Sequence, residues 1–298
     1  MRFLIAGASG FLGSHLTDNL RAAGHEVTTL CRSGDGPGAV RWDPYAGPLD
    51  PAAVENADVV VNLAGSPTAG NPHSRKWARE LRSSRVTTTR VLADAIAASA
   101  NRPAFLAGNA IAIYGNHGDE VVNEAADSRG STFLTEVTRE WRAAAQPAVE
   151  AGSRVAVLHT VPVMDRRSAP LKQLRVLFKT GLGGRIGPGT QYMPMISLRD
   201  WVAAATFVAE HVEIDGAVNL CCVNTPTNAQ FTSELAGLLK RPALAPVPSI
   251  VLKQAAGKLA PELLGSIRAV PEKLIDAGFR FADPDVGSVL RTGLGVGS

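Results

Sequence analysis

Gly7, Gly10 and Gly13 stand three residues apart, directly behind a short apolar run, Phe3-Leu4-Ile5-Ala6, and ahead of an amphipathic stretch that reaches Ala23. A buried strand that turns through glycines into a helix can cradle phosphate. Gly7 lets the chain leave the strand sharply. Gly10 removes a side chain where a pyrophosphate must approach the backbone, and Gly13 lets the helix lie close to the strand. Ser9, Phe11 and Leu12 complete the turn, and the first free N–H groups of the helix face the phosphates with the helix dipole behind them. The plain alternative is a glycine-rich turn without a ligand; the strand before and the helix after supply the context that the phosphate reading requires.

The end of the next strand chooses the dinucleotide. An NAD site places Asp or Glu there to accept from the ribose hydroxyls, whereas this chain has Cys31-Arg32-Ser33. The fork of N–H donors on Arg32 suits a 2′-phosphate and Ser33 adds a hydroxyl, so the pair selects NADP(H); a solvated surface arginine is the competing reading. A later apolar run ends in Leu63, Ala64 and Gly65, small enough for a cofactor to lie against the backbone.

The spacing Gly-x-x-Gly-x-x-Gly resembles the short-chain dehydrogenase/reductase superfamily in its extended, sugar-epimerase-like branch. Asp58-Val59-Val60-Val61-Asn62-Leu63-Ala64-Gly65 is similar to that superfamily's fourth strand and the turn after it. Trp77, Ser84-Arg85 and Thr88 on one long helix, then Tyr114-Gly115, resemble an atypical NAD-dependent epimerase/dehydratase-like subgroup known only as epimerase family proteins. So do Gly183-Gly184 through Gly187-x-Gly189-x-Gln191, and Pro271 with Ala277-Gly278-Phe279-x-Phe281 near the C-terminus. The resemblance runs along essentially the whole chain. It implies that Asp43, closing the third strand, accepts from the adenine amino group, although a turn-forming Asp before Pro44 reads equally simply. It implies an NADP(H)-dependent oxidoreductase or a sugar-nucleotide epimerase-like isomerase acting on an unknown small polar molecule. The rival is a non-catalytic NADP(H)-binding sensor or partner-binding protein.

Superfamily members move protons with a Tyr-x-x-x-Lys pair whose spacing puts both groups on one helix face, the Lys lowering the Tyr pKa. Tyr45, Tyr114 and Tyr192 are followed four residues on by Leu49, Gly118 and Ile196. Aligned on Tyr114-Gly115, the expected pair falls at Phe133 and Val137, and the expected hydroxyl at Ala110 beside Asn109. Tyr114 and Asn109 are therefore the substitutes to examine for catalysis, each with a structural alternative as a packed aromatic and a strand-end cap. His159 closes a strand and reads as structural, and His117 as an exposed loop residue. By analogy with the region that grips a diphosphate in sugar-nucleotide epimerases, Arg185 and Gln191 are substrate-binding candidates, with Asp200 nearby. Arg85, on a helix, reads as an ion-pair anchor.

These residues need a scaffold. Strand-like runs at 3–6, 26–30, 39–42, 58–63, 104–108 and 154–159 alternate with helical stretches, notably Ser74–Ser99 and Ser131–Ala151. That order predicts a Rossmann-type, doubly wound parallel α/β sheet with ligands at the carboxyl ends of its strands. Residues 1–165 read as the NADP(H)-binding core. Residues 166–298 read as a mainly helical substrate-side lobe, with helices at 171–180 and 201–211, a strand at 217–222 and elements returning to the core.

A chain of 298 residues with 45% hydrophobic and 19% charged residues suits one globular α/β unit with a lobe. A net charge of +3 without a basic stripe is no footprint for nucleic acid. Three cysteines and six scattered histidines offer no ligand spacing for a metal and no disulfide framework. The strand at residue 3 leaves no room for a signal peptide and no apolar run approaches the ~20 residues of a membrane span. The expectation is a cytoplasmic monomer or homodimer without a membrane partner.

Overall fold

A computed structural model of the protein describes residues 1–32, 38–243, 246, 252, 254 and 256–296; Ser33, expected beside a 2′-phosphate, lies outside them. The described residues form eleven strands: β1 (Arg2–Ala6), β2 (Glu26–Cys31), β3 (Ala39–Arg41), β4 (Val59–Asn62), β5 (Ala104–Ala110), β6 (Val121–Val122), β7 (Val155–Thr160), β8 (Val163–Met164), β9 (Ile196–Ser197), β10 (Gly216–Leu220) and β11 (Arg268–Ala269). Seven of them form one sheet in the order β10-β7-β5-β4-β1-β2-β3, as the alternating pattern predicts. β1 pairs in parallel with β2 on one side and β4 on the other. The chain winds outward to β3, then restarts at β4 and winds the other way. The switch point therefore falls between β1 and β4, where a doubly wound sheet opens a crevice.

Local sequence explains these elements. Every residue of β4 is buried, as a strand covered on both faces requires. Helix α1 (Phe11–Ala22) starts at Gly10 and hides Leu16 and Leu20. Helix α2 (Ala52–Glu55) is a single turn. Helix α3 (Arg75–Ala98) is capped by Ser74, whose hydroxyl accepts from Trp77 N, and buries Leu81, Leu92 and Ile96. The single helix expected over 131–151 is instead two, α4 (Phe133–Ala143) and α5 (Gln146–Glu150). Pro147 lacks an N–H, so it fits the first turn of a new helix and not the interior of a continuous one.

By compactness the chain divides into two units. One comprises Met1–Asn109, Val137–Leu158 and Val202–Val218; the other comprises Ala110–Glu136, His159–Trp201 and Asn219–Ser298. They interleave along the chain, so no single cut at residue 165 separates them. The first unit packs Leu4, Leu30, Trp42, Val60, Leu92 and Phe105 in one apolar cluster. The second has its own, with Met164, Leu171, Phe178, Phe231 and Leu290, drawn partly from α6 (Ala169–Lys179) and α8 (Asn228–Leu239). Between these two in sequence runs α7 (Leu198–Glu210). Among the described residues no helix is long and apolar enough to cross a membrane.

The C-terminal segment is tied into the second unit by two buried carboxylates. Asp200 accepts from the backbone N–H of Ala282 (2.9 Å) and Asp283 (2.7 Å). Its sequence-based place near a substrate is thus corrected: the group is buried and holds backbone, and burial raises its pKa. Asp283 is fully buried and accepts from Arg199 Nε (2.7 Å) and Thr292 Oγ1 (2.8 Å). Burial pushes its carboxyl up, but the hydrogen bonds from Arg199, Ser197 and Thr292 outweigh burial and hold it below the ordinary value.

Asp283→Ala should therefore lower stability. The Arg199 side chain is 55% exposed, so its loss of a partner does not strand a buried cation, and the expected cost is about 2–3 kcal/mol in urea unfolding. A depressed folded pKa stabilises above the unfolded carboxylate value of about 3.9 and loses that contribution as pH falls through the folded value. The stability gap between wild type and Asp283→Asn should accordingly shrink only below about pH 4. A gap that stays constant into strong acid contradicts the assignment.

Candidate active site

The turn after β1 is built by close approach. Gly7 has φ +83°, and a Cβ there would sit 2.5 Å from Leu63 C. A Cβ on Gly13 would sit 2.1 Å from Gly7 O, so a side chain at either position breaks the fold. Gly10 differs: a Cβ there would meet only Gly7 O, at 3.2 Å, so this glycine is not forced by the protein's own packing to the same degree. Leu63 N donates to Ala6 O (2.9 Å), which locks the end of β4 beside the end of β1.

Above these strand ends, within the first unit, lies a cleft of about 600 Å³. Of the residues read as cofactor-binding, Gly7, Ser9, Gly10, Arg32, Leu63, Ala64 and Gly65 line it. Phe11, Leu12 and Gly13 sit in the first turn of α1 beneath the cradle. Asp43 is not part of the lining; its Oδ1 accepts from Tyr45 N (3.0 Å), the turn-forming role that competed with the adenine reading. Arg32 is exposed and lines the cleft, with no hydrogen bond or ion pair to another described residue. Cleft-lining residues not read as cofactor-binding include Trp42, Pro44, Tyr45, Ser66, Pro67 and Glu80, with Ser84 and Thr88, which enter only as marks of the resemblance. Glu80, Ser84 and Thr88 recur every four residues along α3 and so share one face of that helix.

The cleft's β4 wall is strapped to α3. Ser84 Oγ accepts from Ser66 N (2.9 Å). Arg85 donates to Ser66 O (3.2 Å), Leu81 O (3.1 Å) and Thr68 Oγ1 (3.1 Å), and lies over the Trp141 ring at 5.3 Å. The ion pair expected of Arg85 is absent among the described residues; carbonyls and an aromatic face replace the carboxylate, and burial pushes the guanidinium down to about 10.

The candidate acid–base residues are occupied elsewhere. Tyr114 is buried at 2% exposure; its hydroxyl donates to Asn219 Oδ1 (2.9 Å) and lies 3.0 Å from His159 Nδ1. Asn219 Nδ2 donates to Val270 O (3.0 Å), and its N–H to Glu124 Oε1 (3.1 Å). Burial raises the Glu124 pKa, in part against the hydrogen bonds it accepts. This closed network satisfies the phenol internally and argues against Tyr114 as a substrate-facing acid. Asn109 is likewise buried, with Nδ2 donating to Thr138 O (3.1 Å). His117, expected to be exposed, is buried with Nε2 3.1 Å from Tyr114 O and 3.2 Å from Asp127 O. Phe133 begins α4 with Lys258 Nζ 5.8 Å from its ring, and Val137 is buried.

In the second unit, the glycine loop before Gln191 is anchored on the start of α8. Asn228 Oδ1 accepts from Ile186 N (2.7 Å), and Gly189 O accepts from Ala229 N (2.9 Å). Gln191 serves this anchor too, with its carbonyl accepting from Asn228 N and its amide 3.4 Å from Ile186 O. Arg185 projects from the same loop, exposed and without a protein hydrogen bond or ion pair among the described residues.

Residues 3–136 match the NAD dependent epimerase/dehydratase family, and residues 247–292 match a domain of unknown function, DUF1731. The chain is 39% identical over 288 residues to the epimerase family protein Mb2239 of Mycobacterium bovis, covering 96% of this chain and 95% of that one. It is 32% identical to human epimerase family protein SDR39U1, over 98% of this chain and 99% of the relative. The crystal structure of human SDR39U1 (isoform 2) with NADPH superposes with a TM-score of 0.88 at 30% identity, covering 99% of this chain and all of that one. Similarity of this extent along both chains establishes that the protein belongs to the NAD dependent epimerase/dehydratase family, among the epimerase family proteins, as the ordered motifs implied.

Proposed function

We propose that the protein binds NADP(H) in the cleft of its first unit and acts as an oxidoreductase or epimerase-like enzyme on a small polar molecule, without a Tyr/Lys proton relay. The observation that carries this reading is Arg32. It lines the same cleft as Gly7 and Gly10, without a partner among the described residues, at the strand end where an NAD site would carry an acid. The protein's own packing requires Gly7 and Gly13, but leaves Gly10 bare where a pyrophosphate would lie. Human SDR39U1, solved with NADPH, supports the same choice. When bound, the nicotinamide would supply hydride transfer; Leu63, Ala64 and Gly65 line the cleft that would hold the cofactor. In the second unit Arg185, exposed and without a partner among the described residues, is the candidate for an anionic substrate group. With Tyr114 and Asn109 buried, the proton moves through water or a group on the substrate. The same burial, with Phe133 and Val137 at the expected pair, favours a second reading: a non-catalytic NADP(H)-binding sensor or partner-binding protein.

Arg32→Glu should weaken NADPH far more than NADH, since it sets a carboxylate against a phosphate. Loss of one charge-assisted contact costs about 1.5–3 kcal/mol, roughly 10- to 150-fold in Kd by fluorescence titration. Equal affinity of wild type for NADH and NADPH contradicts the preference. Gly10→Val should abolish dinucleotide binding with the circular dichroism spectrum retained, because the isopropyl group fills the pyrophosphate's approach; undiminished NADPH binding by the folded variant places the phosphates elsewhere. Wild type screened against sugar nucleotides, quinones and small carbonyls should oxidise NADPH with one of them, at a rate about 10²–10⁴-fold below that of relay-equipped enzymes. Tight NADPH binding with no turnover across the screen favours the sensor instead.

A further inference from the structure

The second unit has a cleft of its own, of about 380 Å³, that the proposed reaction does not use. Strand β11 runs along it. β11 pairs in parallel with β6 and sets Arg268 opposite Val121, so the two side chains share a face. The Arg268 guanidinium lies over the Tyr192 ring, 5.1 Å from its centre. An aromatic face steadies a cation but leaves the N–H edge of the guanidinium unspent. Neither that guanidinium nor the Tyr192 hydroxyl has a hydrogen bond or ion pair to another described residue. Among the described residues no Asp or Glu lines the cleft. Val121, Val223 and Val270 give it an apolar wall, and Val121 is left 56% exposed there.

A steadied cation in a lining without an anion calls for an anionic group, and the neighbouring donors say which kind. A phosphate group carries nearly two charges at neutral pH and is commonly met by free N–H groups at a helix N-terminus. Thr227 and Gln230, at the start of α8, do line the cleft, but the N–H groups of that turn are spent. Asn228 N donates to Gln191 O (2.8 Å), Ala229 N to Gly189 O (2.9 Å) and Gln230 N to Thr227 Oγ1 (3.3 Å). What remains is one guanidinium fork, which matches the single charge and the planar shape of a carboxylate. The valine wall suits an apolar body behind that group, and the volume is that of a small-molecule site. We propose that this cleft binds a small monocarboxylate with an apolar body, the carboxylate on Arg268 and the body along Val121, Val223 and Val270. The site lies wholly within the second unit and does not depend on the NADP(H) reading.

Benzoate is the probe, with benzyl alcohol as its neutral counterpart and phenyl phosphate as the more highly charged one. In ¹⁵N-labelled wild type, benzoate should shift the Arg268 Nε–H signal and the Asn224 and Gln230 side-chain amide signals saturably. Benzyl alcohol at the same concentrations should leave them in place. Arg268→Gln removes the charge and keeps the β11 backbone, so it should weaken benzoate about 10-fold or more with the circular dichroism spectrum retained. The absence of a saturable shift with benzoate overturns the proposal. Unchanged benzoate affinity in folded Arg268→Gln overturns it too, and tighter binding of phenyl phosphate than of benzoate contradicts the carboxylate assignment. Where Arg268→Gln does not fold, wild type decides: equal shifts with benzoate and benzyl alcohol show that no carboxylate is being recognised.

Discussion

Everything in the first unit hangs on the contact between the turn after β1 and the end of β4. Gly7 lies so near the Leu63–Ala64 peptide, and Gly13 so near Gly7, that no side chain fits at either position. That contact sets the separation of β1 and β4 at the switch point of the sheet, and so the floor of the cleft. It also fixes where α1 begins, and with it the direction of the free N–H groups at that end. Arg32 on one rim and the strapped Ser66–Thr68 segment on the other inherit their positions from it. Gly10 is the exception that carries the functional argument, because its missing side chain is explained less well by the protein than by a ligand.

A second constraint governs the polar residues: buried polar groups must be satisfied. Tyr114, the plausible acid by residue type, reaches the interior of the second unit, where Asn219 and His159 engage its hydroxyl. Glu124 anchors backbone N–H groups of Asn219 and Lys273. Asp200 and Asp283 do the same work around Ala282 and Arg199. These residue types could move protons, yet their hydrogen bonds are spent on holding irregular chain together. The cleft, by contrast, keeps Arg32 exposed and without a partner among the described residues.

How far the sequence disclosed this depends on the range of the interaction. The parallel sheet was legible because strand burial and helix periodicity are local. Val59–Val61 is apolar throughout, and the helix after Gly10 shows its stripe. The cradle was legible for the same reason, since turn, strand and helix are contiguous. What escaped depended on distant partners. Nothing near Arg85 announces that Trp141 will lie under its guanidinium. Nothing near His117 announces that carbonyls from Tyr114 and Asp127 will bury it. Pro147 was visible in the sequence, and its break in the helix could have been read there.

The central claim is that the cleft at the ends of β1, β2 and β4 is an NADP(H) site. A crystal structure of the protein grown with saturating NADPH tests it most directly. The account predicts density for the pyrophosphate over the Gly7–Gly10 turn, with the 2′-phosphate within hydrogen-bond distance of the Arg32 guanidinium. An empty cleft at saturation, or a dinucleotide bound elsewhere on the chain, contradicts it.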